Sequence, residues 1–161
     1  MKYLVCDTGP LIALAKVGQL ALLPKMCEKV YIPPAVQREL LRKSGPEIVW
    51  LEAALGTFIE IVPLPPSPPE VEVVTWQLDC GEQQAIALAY HLQAMVVIDE
   101  RLGRNAARQL ALLMTGSVGL LLRAKECGLI TKVVPLLKNM RRQGYWFSDE
   151  LLALAARLSG E

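Results

Sequence analysis

The chain has 161 residues, 53% of them apolar and 20% charged, which suits one α/β domain with a buried core and excludes the composition of disordered segments. A formal net charge of +1 gives no global field for gathering nucleic acid, so any such claim must rest on a local site. The longest uncharged stretches, Gln83–Ile98 and Gln109–Leu122, carry polar residues and fall short of a bilayer span, and Asp7 interrupts any leader-like apolar core. The expectation is a single domain over residues 1–161, cytoplasmic and free of membrane, with Cys6, Cys27, Cys80 and Cys127 reduced and mostly buried.

In chain order, Tyr3–Cys6 is a short apolar run that ends at Asp7, and Thr8-Gly9-Pro10 then supplies a cap and an early proline for a helix through Leu11–Ala15. A second helix over Leu20–Leu23 is expected to stop at Pro24. Lys29–Ile32 reads as a strand closed by Pro33-Pro34, and Pro34 can occupy the first turn of the helix Ala35–Lys43. That helix places Val36, Leu40 and Leu41 on one face, with Glu39 beside them.

A helix over Glu47–Leu55 and a strand over Thr57–Val62 lead to Pro63, Pro65, Pro66, Pro68 and Pro69, an extended surface connector. Helices Glu70–Leu78 and Gly81–Leu92 follow, then the apolar strand Ala94–Ile98, which runs into Asp99 and repeats the opening pattern of strand then acid. Helix Arg101–Gln109, short strand Ala111–Met114, and helices Ser117–Cys127, Lys132–Arg142 and Ser148–Leu158 complete the chain. Strands and helices alternating in this way imply a parallel buried sheet with helices on both faces. In the last helix Leu151, Leu152, Leu154, Ala155 and Leu158 are expected to complete the core, with self-association as the alternative.

Ligand crevices in open α/β sheets lie beyond the carboxyl ends of the strands, where Asp7 and Asp99 both fall. Glu39 sits on a helix with an apolar face and Glu82 in the first turn of another. Singly, each acid has a plain structural role: Asp7 as a helix cap, Glu82 as an acid at a helix N-terminus. Jointly they need compensation, because two carboxylates at about 4 Å repel by roughly 4 kcal/mol at an effective dielectric near 20. Oxygen ligands without a Cys or His cluster fit Mg²⁺ or Mn²⁺ and disfavour zinc. The only histidine, His91, is read as structural.

The segments Asp7-Thr8-Gly9-Pro10-Leu11-Ile12, Ile32-Pro33-Pro34-Ala35-Val36 with Glu39-Leu40, Leu78-Asp79-Cys80-Gly81-Glu82, Val97-Ile98-Asp99-Glu100-Arg101 and Thr115-Gly116-Ser117-Val118-Gly119 together resemble a prokaryotic PIN domain of the kind found in VapC-type toxin ribonucleases. The resemblance runs in order from Tyr3 to about Leu158. It implies a three-layer α/β/α fold around a parallel sheet and an Mg²⁺- or Mn²⁺-dependent ribonuclease, often the toxin partnered by an antitoxin. The family's acidic quartet maps onto Asp7, Glu39, Glu82 and Asp99, with Asp7 and Asp99 as principal ligands. Many relatives carry aspartate where Glu82 stands, which makes Asp79 a competitor for that place.

Around the quartet, Thr8 either bonds a ligand carboxylate or water or caps its helix. Glu100 either joins a second metal or faces solvent at a helix start. Arg101 and Arg104 pair either with phosphates or with internal acids, and Gly116-Ser117 offers backbone N–H groups to a phosphate or simply begins a helix. Two rival functions stand beside the nuclease: a PIN-like scaffold that binds RNA or a protein without cutting, and an Mg²⁺-dependent phosphotransferase using Asp7 as nucleophile. Gly9, where a phosphatase of that type carries a second aspartate, argues against the latter.

Overall fold

Leu4, Val5 and Cys6 are all fully buried, so the strand that contains them, β1 (Tyr3–Cys6), is covered on both faces, as befits the middle of a parallel sheet. The computed structural model describes residues 1–161. Four further strands, β2 (Lys29–Ile32), β3 (Ile59–Ile61), β4 (Met95–Val97) and β5 (Met114–Thr115), complete a five-stranded sheet in the order β3-β2-β1-β4-β5. All pairings are parallel; Leu4 lies opposite Val30 on one side and Met95 on the other.

The helices are α1 (Thr8–Lys16), α2 (Leu23–Met26), α3 (Pro34–Leu41), α4 (Ile48–Leu55), α5 (Pro69–Thr75), α6 (Cys80–Leu92), α7 (Arg101–Gln109), α8 (Ser117–Glu126), α9 (Val134–Arg142) and α10 (Asp149–Ser159). The alternation of side chains along a strand divides the core in two. Leu4, Cys6 and Val97 face one layer, packing with Leu11 and Leu14 of α1, Leu120 and Leu121 of α8, and Leu137 of α9. Val5, Val96 and Ile98 face the other, with Ile86 and Leu88 of α6 and Ala106 and Ala107 of α7. The result is the three-layer arrangement expected from the sequence, and no helix is long and apolar enough to cross a membrane.

Several local expectations are corrected. Leu20–Leu22 is a 3-10 turn, and Pro24 does not stop a helix there but lies in the first turn of α2, where its missing N–H costs nothing. Pro69 likewise opens α5, which ends at Thr75 rather than Leu78. Leu41 is exposed instead of sharing the buried face of Val36 and Leu40. The last strand falls at Met114–Thr115, because Ala111 takes a left-handed φ of 55° that breaks an extended run starting there. Cys6 and Cys27 are buried, but Cys80 and Cys127 are exposed. Leu152 and Ala155 join the core as expected, whereas Leu154 and Leu158 do not.

The packing of α6 on the sheet has a direct test. Ile86 is fully buried, so Ile86→Ala should cost about 2–5 kcal/mol in urea unfolding, while Leu102→Ala on the exposed side of α7 should stay within about 0.5 kcal/mol. Equal effects of the two substitutions would contradict this placement of α6.

Candidate active site

Strand β1 is the point where the chain reverses its direction of travel across the sheet: β2 and β3 are added on one side, β4 and β5 on the other. At such a switch point the connections leave in opposite directions and open a crevice beyond the strand ends. Asp7 follows β1 directly and its backbone N–H still donates to the Val97 carbonyl at 3.0 Å. Ile98, which precedes Asp99, donates its N–H to Thr115 at 2.9 Å. Extension of the ladder past the strand ends therefore carries both aspartates into a crevice of about 330 Å³. Glu39, Asp79, Glu82 and Glu100 line the same crevice, beside Thr8 and Tyr145.

Glu39 and Glu82 come from α3 and α6, and the two helices are tied by the Ala35 N–H, which donates to Gln84 Oε1 at 2.9 Å. A β-carbon at Gly81 would overlap the Glu39 carboxylate, so glycine there is what lets α3 and α6 close with the acid between them. Asp79 is the N-cap of α6: its Oδ1 accepts from the Glu82 N–H at 2.8 Å. The surroundings of the two differ: Asp79 is exposed with one carboxylate oxygen on the cap, whereas Glu82 is 8% exposed with its carboxylate free of an ion pair. Glu100 lies on the crevice rim, exposed, and makes no capping bond to α7.

Asp99 is held by three donors. Ser117, wholly buried at the start of α8, gives its backbone N–H to Oδ1 at 2.7 Å and its hydroxyl to Oδ2 at 2.5 Å. The third donor is the Tyr145 hydroxyl, from the loop between α9 and α10. The N–H of Ser117 is thus committed to a carboxylate rather than open to a phosphate, and the carboxylate sits at the positive end of α8. A side chain at position 116 would collide with Asp99, which accounts for Gly116. Tyr145 was not anticipated: it lies far along the chain from Asp99, and its only sequence signal is the aromatic run Tyr145-Trp146-Phe147 in a loop. Burial, the Asp99 charge and the bond it donates all push the Tyr145 phenol upward, so it remains a donor.

Asp7 is 5% exposed and stands at the N-cap position of α1 without a side-chain capping bond, although the neighbouring Thr8 N–H favours its anion. Burial pushes its carboxyl up to about 7, with the charges of Glu82, Asp79 and Glu39 adding to the shift. Glu82 is also raised to about 7, by burial and then by the charge of Asp79, with smaller contributions from Glu100 and Glu39. Next to Asp7, the Thr8 hydroxyl is buried with no hydrogen-bond partner at all, and Thr8 is only 6% exposed. An orphaned hydroxyl of this kind costs about 1–3 kcal/mol unless something in the crevice meets it. Arg101 and Arg104 pair with no carboxylate; Arg104 donates to the Ile98 carbonyl at 2.9 Å, and His91 is exposed at the far end of α6.

Residues 3–161 match the family described as PIN domain, DUF3368. The chain belongs to the PIN-domain family. Among solved structures it is similar to a PilT N-terminus domain protein from the hyperthermophilic archaeon Sulfolobus solfataricus, with 15% identity and a TM-score of 0.52 over 74% of this chain and 90% of that one, a likeness of fold. No curated protein matches the sequence.

PIN domains generally use divalent metal ions, and the crevice of this PIN domain has the chemistry for one. Its carboxylates and hydroxyls offer oxygen ligands, with Lys43 the one cationic side chain on its wall and in no ion pair; two of its acids are destabilised as anions, and Thr8 presents an unused hydroxyl. No three of its side chains already converge on one point, because Asp99 is turned to Ser117 and Tyr145 and Glu39 lies against Gly81. Side-chain rotation at these two acids would have to accompany binding.

A pH dependence follows. Asp7 and Glu82 hold protons more tightly in the folded chain than in the unfolded one, so the folded state binds more protons between the ordinary carboxylate range and about pH 7. Stability must then fall as pH rises through that window. In a chelating buffer, Tm should drop between about pH 5 and about pH 8, and Asp7→Asn should flatten the curve and exceed wild type at the upper end. A Tm that rises with pH over this range would contradict the burial of these two acids.

Proposed function

We propose that this PIN domain is a metal-dependent endoribonuclease that hydrolyses phosphodiester bonds of RNA in the acidic crevice. PIN domains are typically nucleases, and one observation carries the reading to these residues. Two carboxyl groups, Asp7 and Glu82, are buried together at the switch point of the sheet with no cation of the protein paired to either. A purely structural role would not select such an arrangement, because uncompensated buried acids destabilise the fold.

Asp7 and Asp99 are the principal ligands in this reading, and Glu39 and Glu82 complete the shell directly or through ordered waters. When bound, Mg²⁺ or Mn²⁺ supplies positive charge against the phosphate and makes water acidic enough to attack phosphorus near neutral pH. The protein's own contribution is orientation. Ser117 gives its N–H to Oδ1 of Asp99, and the Ser117 and Tyr145 hydroxyls both donate to Oδ2, so these donors govern how far the carboxylate can turn toward an ion. Thr8 has a hydroxyl free to donate to a phosphate oxygen or a water.

The biological setting proposed is the toxin half of a toxin–antitoxin pair in the cytoplasm, acting with an antitoxin and as a homodimer or monomer; its support is the sequence resemblance to VapC-type proteins. The biochemical test is incubation of the purified protein with labelled single-stranded RNA in Mn²⁺ or Mg²⁺, beside a chelator control. Asp7→Asn and Asp99→Asn should lower cleavage by at least about 100-fold, and Tyr145→Phe, which removes only the hydroxyl that holds Asp99, by about 10–100-fold. A folded, metal-loaded wild type that binds varied RNAs and cuts none would replace the nuclease with the binding scaffold.

A further inference from the structure

Beside the acidic crevice runs a larger groove of about 570 Å³, and the two share Asp99 in their walls. One wall is basic. Arg101, Arg104 and Arg108 lie three and four residues apart along α7, on one face, spread over about 10 Å of helix at 1.5 Å per residue. None of the three meets a carboxylate. Arg104 is fixed by its bond to the Ile98 carbonyl, and Arg108 donates to its own-helix neighbour Asn105 at 3.0 Å, leaving the rest of each guanidinium free.

The facing wall is apolar and comes from a different part of the chain. Leu122 of α8 and Leu151, Leu154 and Leu158 of α10 line it. Leu154 is 37% exposed and Leu158 63%, so these are the positions of α10 that the core left over. A groove with unpaired cations on one side and aliphatic side chains on the other suits a polymer that is itself charged along one edge and apolar along the other.

We propose that this groove is the track along which single-stranded RNA enters or leaves the acidic crevice, phosphates on the arginines and bases against the leucines. The proposal rests on the ribonuclease reading and adds to it the surface that holds the strand outside the crevice. Only a single strand has unstacked bases to lay on the leucine wall; a duplex would present its backbone alone. An acidic amphipathic helix of another protein would match the same two walls, but the continuity with the crevice at Asp99 gives a scissile strand a reason to pass here.

The test is fluorescence anisotropy of a labelled single-stranded oligoribonucleotide in Ca²⁺, over a series of salt concentrations. The proteins compared are wild type, the Arg101→Ala/Arg108→Ala double variant and Leu158→Glu, all at exposed positions, with Mn²⁺ calorimetry and thermal melts as controls. The double variant should bind about tenfold or more weakly, with the salt slope of log K shallower by about 0.7 for each arginine removed, and with Mn²⁺ affinity and Tm unchanged. Leu158→Glu should also weaken RNA binding. Wild-type affinity and slope in the double variant, no RNA binding by wild type, or equally tight binding of DNA of the same sequence would each overturn the proposal. So would a wild-type dimer that Leu158→Glu dissociates, since a second copy would then cover the groove. RNA held through the arginines but never cut in Mn²⁺ removes the nuclease reading and keeps the track, whereas RNA cut by the arginine variants with unchanged kcat/KM removes the track alone.

Discussion

Two buried carboxyl groups of like charge, Asp7 and Glu82, at the carboxyl end of the central strand are the constraint around which the rest of this site is arranged. No lysine or arginine of the chain forms an ion pair with either, and both hold their protons up to about pH 7 because burial penalises the anion and neighbouring acids add to the penalty. The fold tolerates this at a cost. It is the kind of local conflict, at odds with the consistent packing of the two core layers around it, that marks functional positions.

The surrounding residues show how the cost is contained. Asp99 faces the same crevice yet is anchored by Ser117 and Tyr145, so its charge is met by donors and by the start of α8 rather than by a side-chain cation. Glu39 reaches the site because Gly81 gives it room, and Gly116 does the same for Asp99. The last part of the chain takes part through Tyr145, and its position is in turn secured where the Glu161 carboxylate accepts the Val133 N–H at 2.8 Å and the Val134 N–H at 3.1 Å at the start of α9. A loop bracketed by α9 and α10 thus delivers a hydroxyl to a carboxylate at the end of β4.

Much of this was legible in the sequence because it depends on local pattern. An apolar run closed by an acid, twice over, marks Asp7 and Asp99, and the prolines at 33–34 and 63–68 delimit strands and connector, while Pro69 already belongs to the first turn of α5. What local pattern does not encode is which partner a long-range contact will choose. Tyr145 reaches Asp99 through tertiary packing of helices that follow the whole sheet, and the burial of Glu82 against the exposure of Asp79 depends on how α6 docks on β1. The same limit explains Leu154 and Leu158: helical spacing alone gives α10 a broad apolar stripe, but only part of that stripe meets α8 and α9. Pro24 departs from expectation for a different reason, since a proline that ends one turn is equally at home beginning the next.

The central claim is that the crevice is completed by a divalent cation, and the most direct measurement is calorimetric titration of Mn²⁺ at pH 7 in two buffers of different ionisation enthalpy. Because Asp7 and Glu82 are partly protonated there, binding must expel protons, so the account predicts a saturable site whose apparent heat differs between the buffers and which is lost in Asp7→Asn. Absence of saturable binding by the folded wild type, or binding with no proton release and full retention in Asp7→Asn, would contradict it.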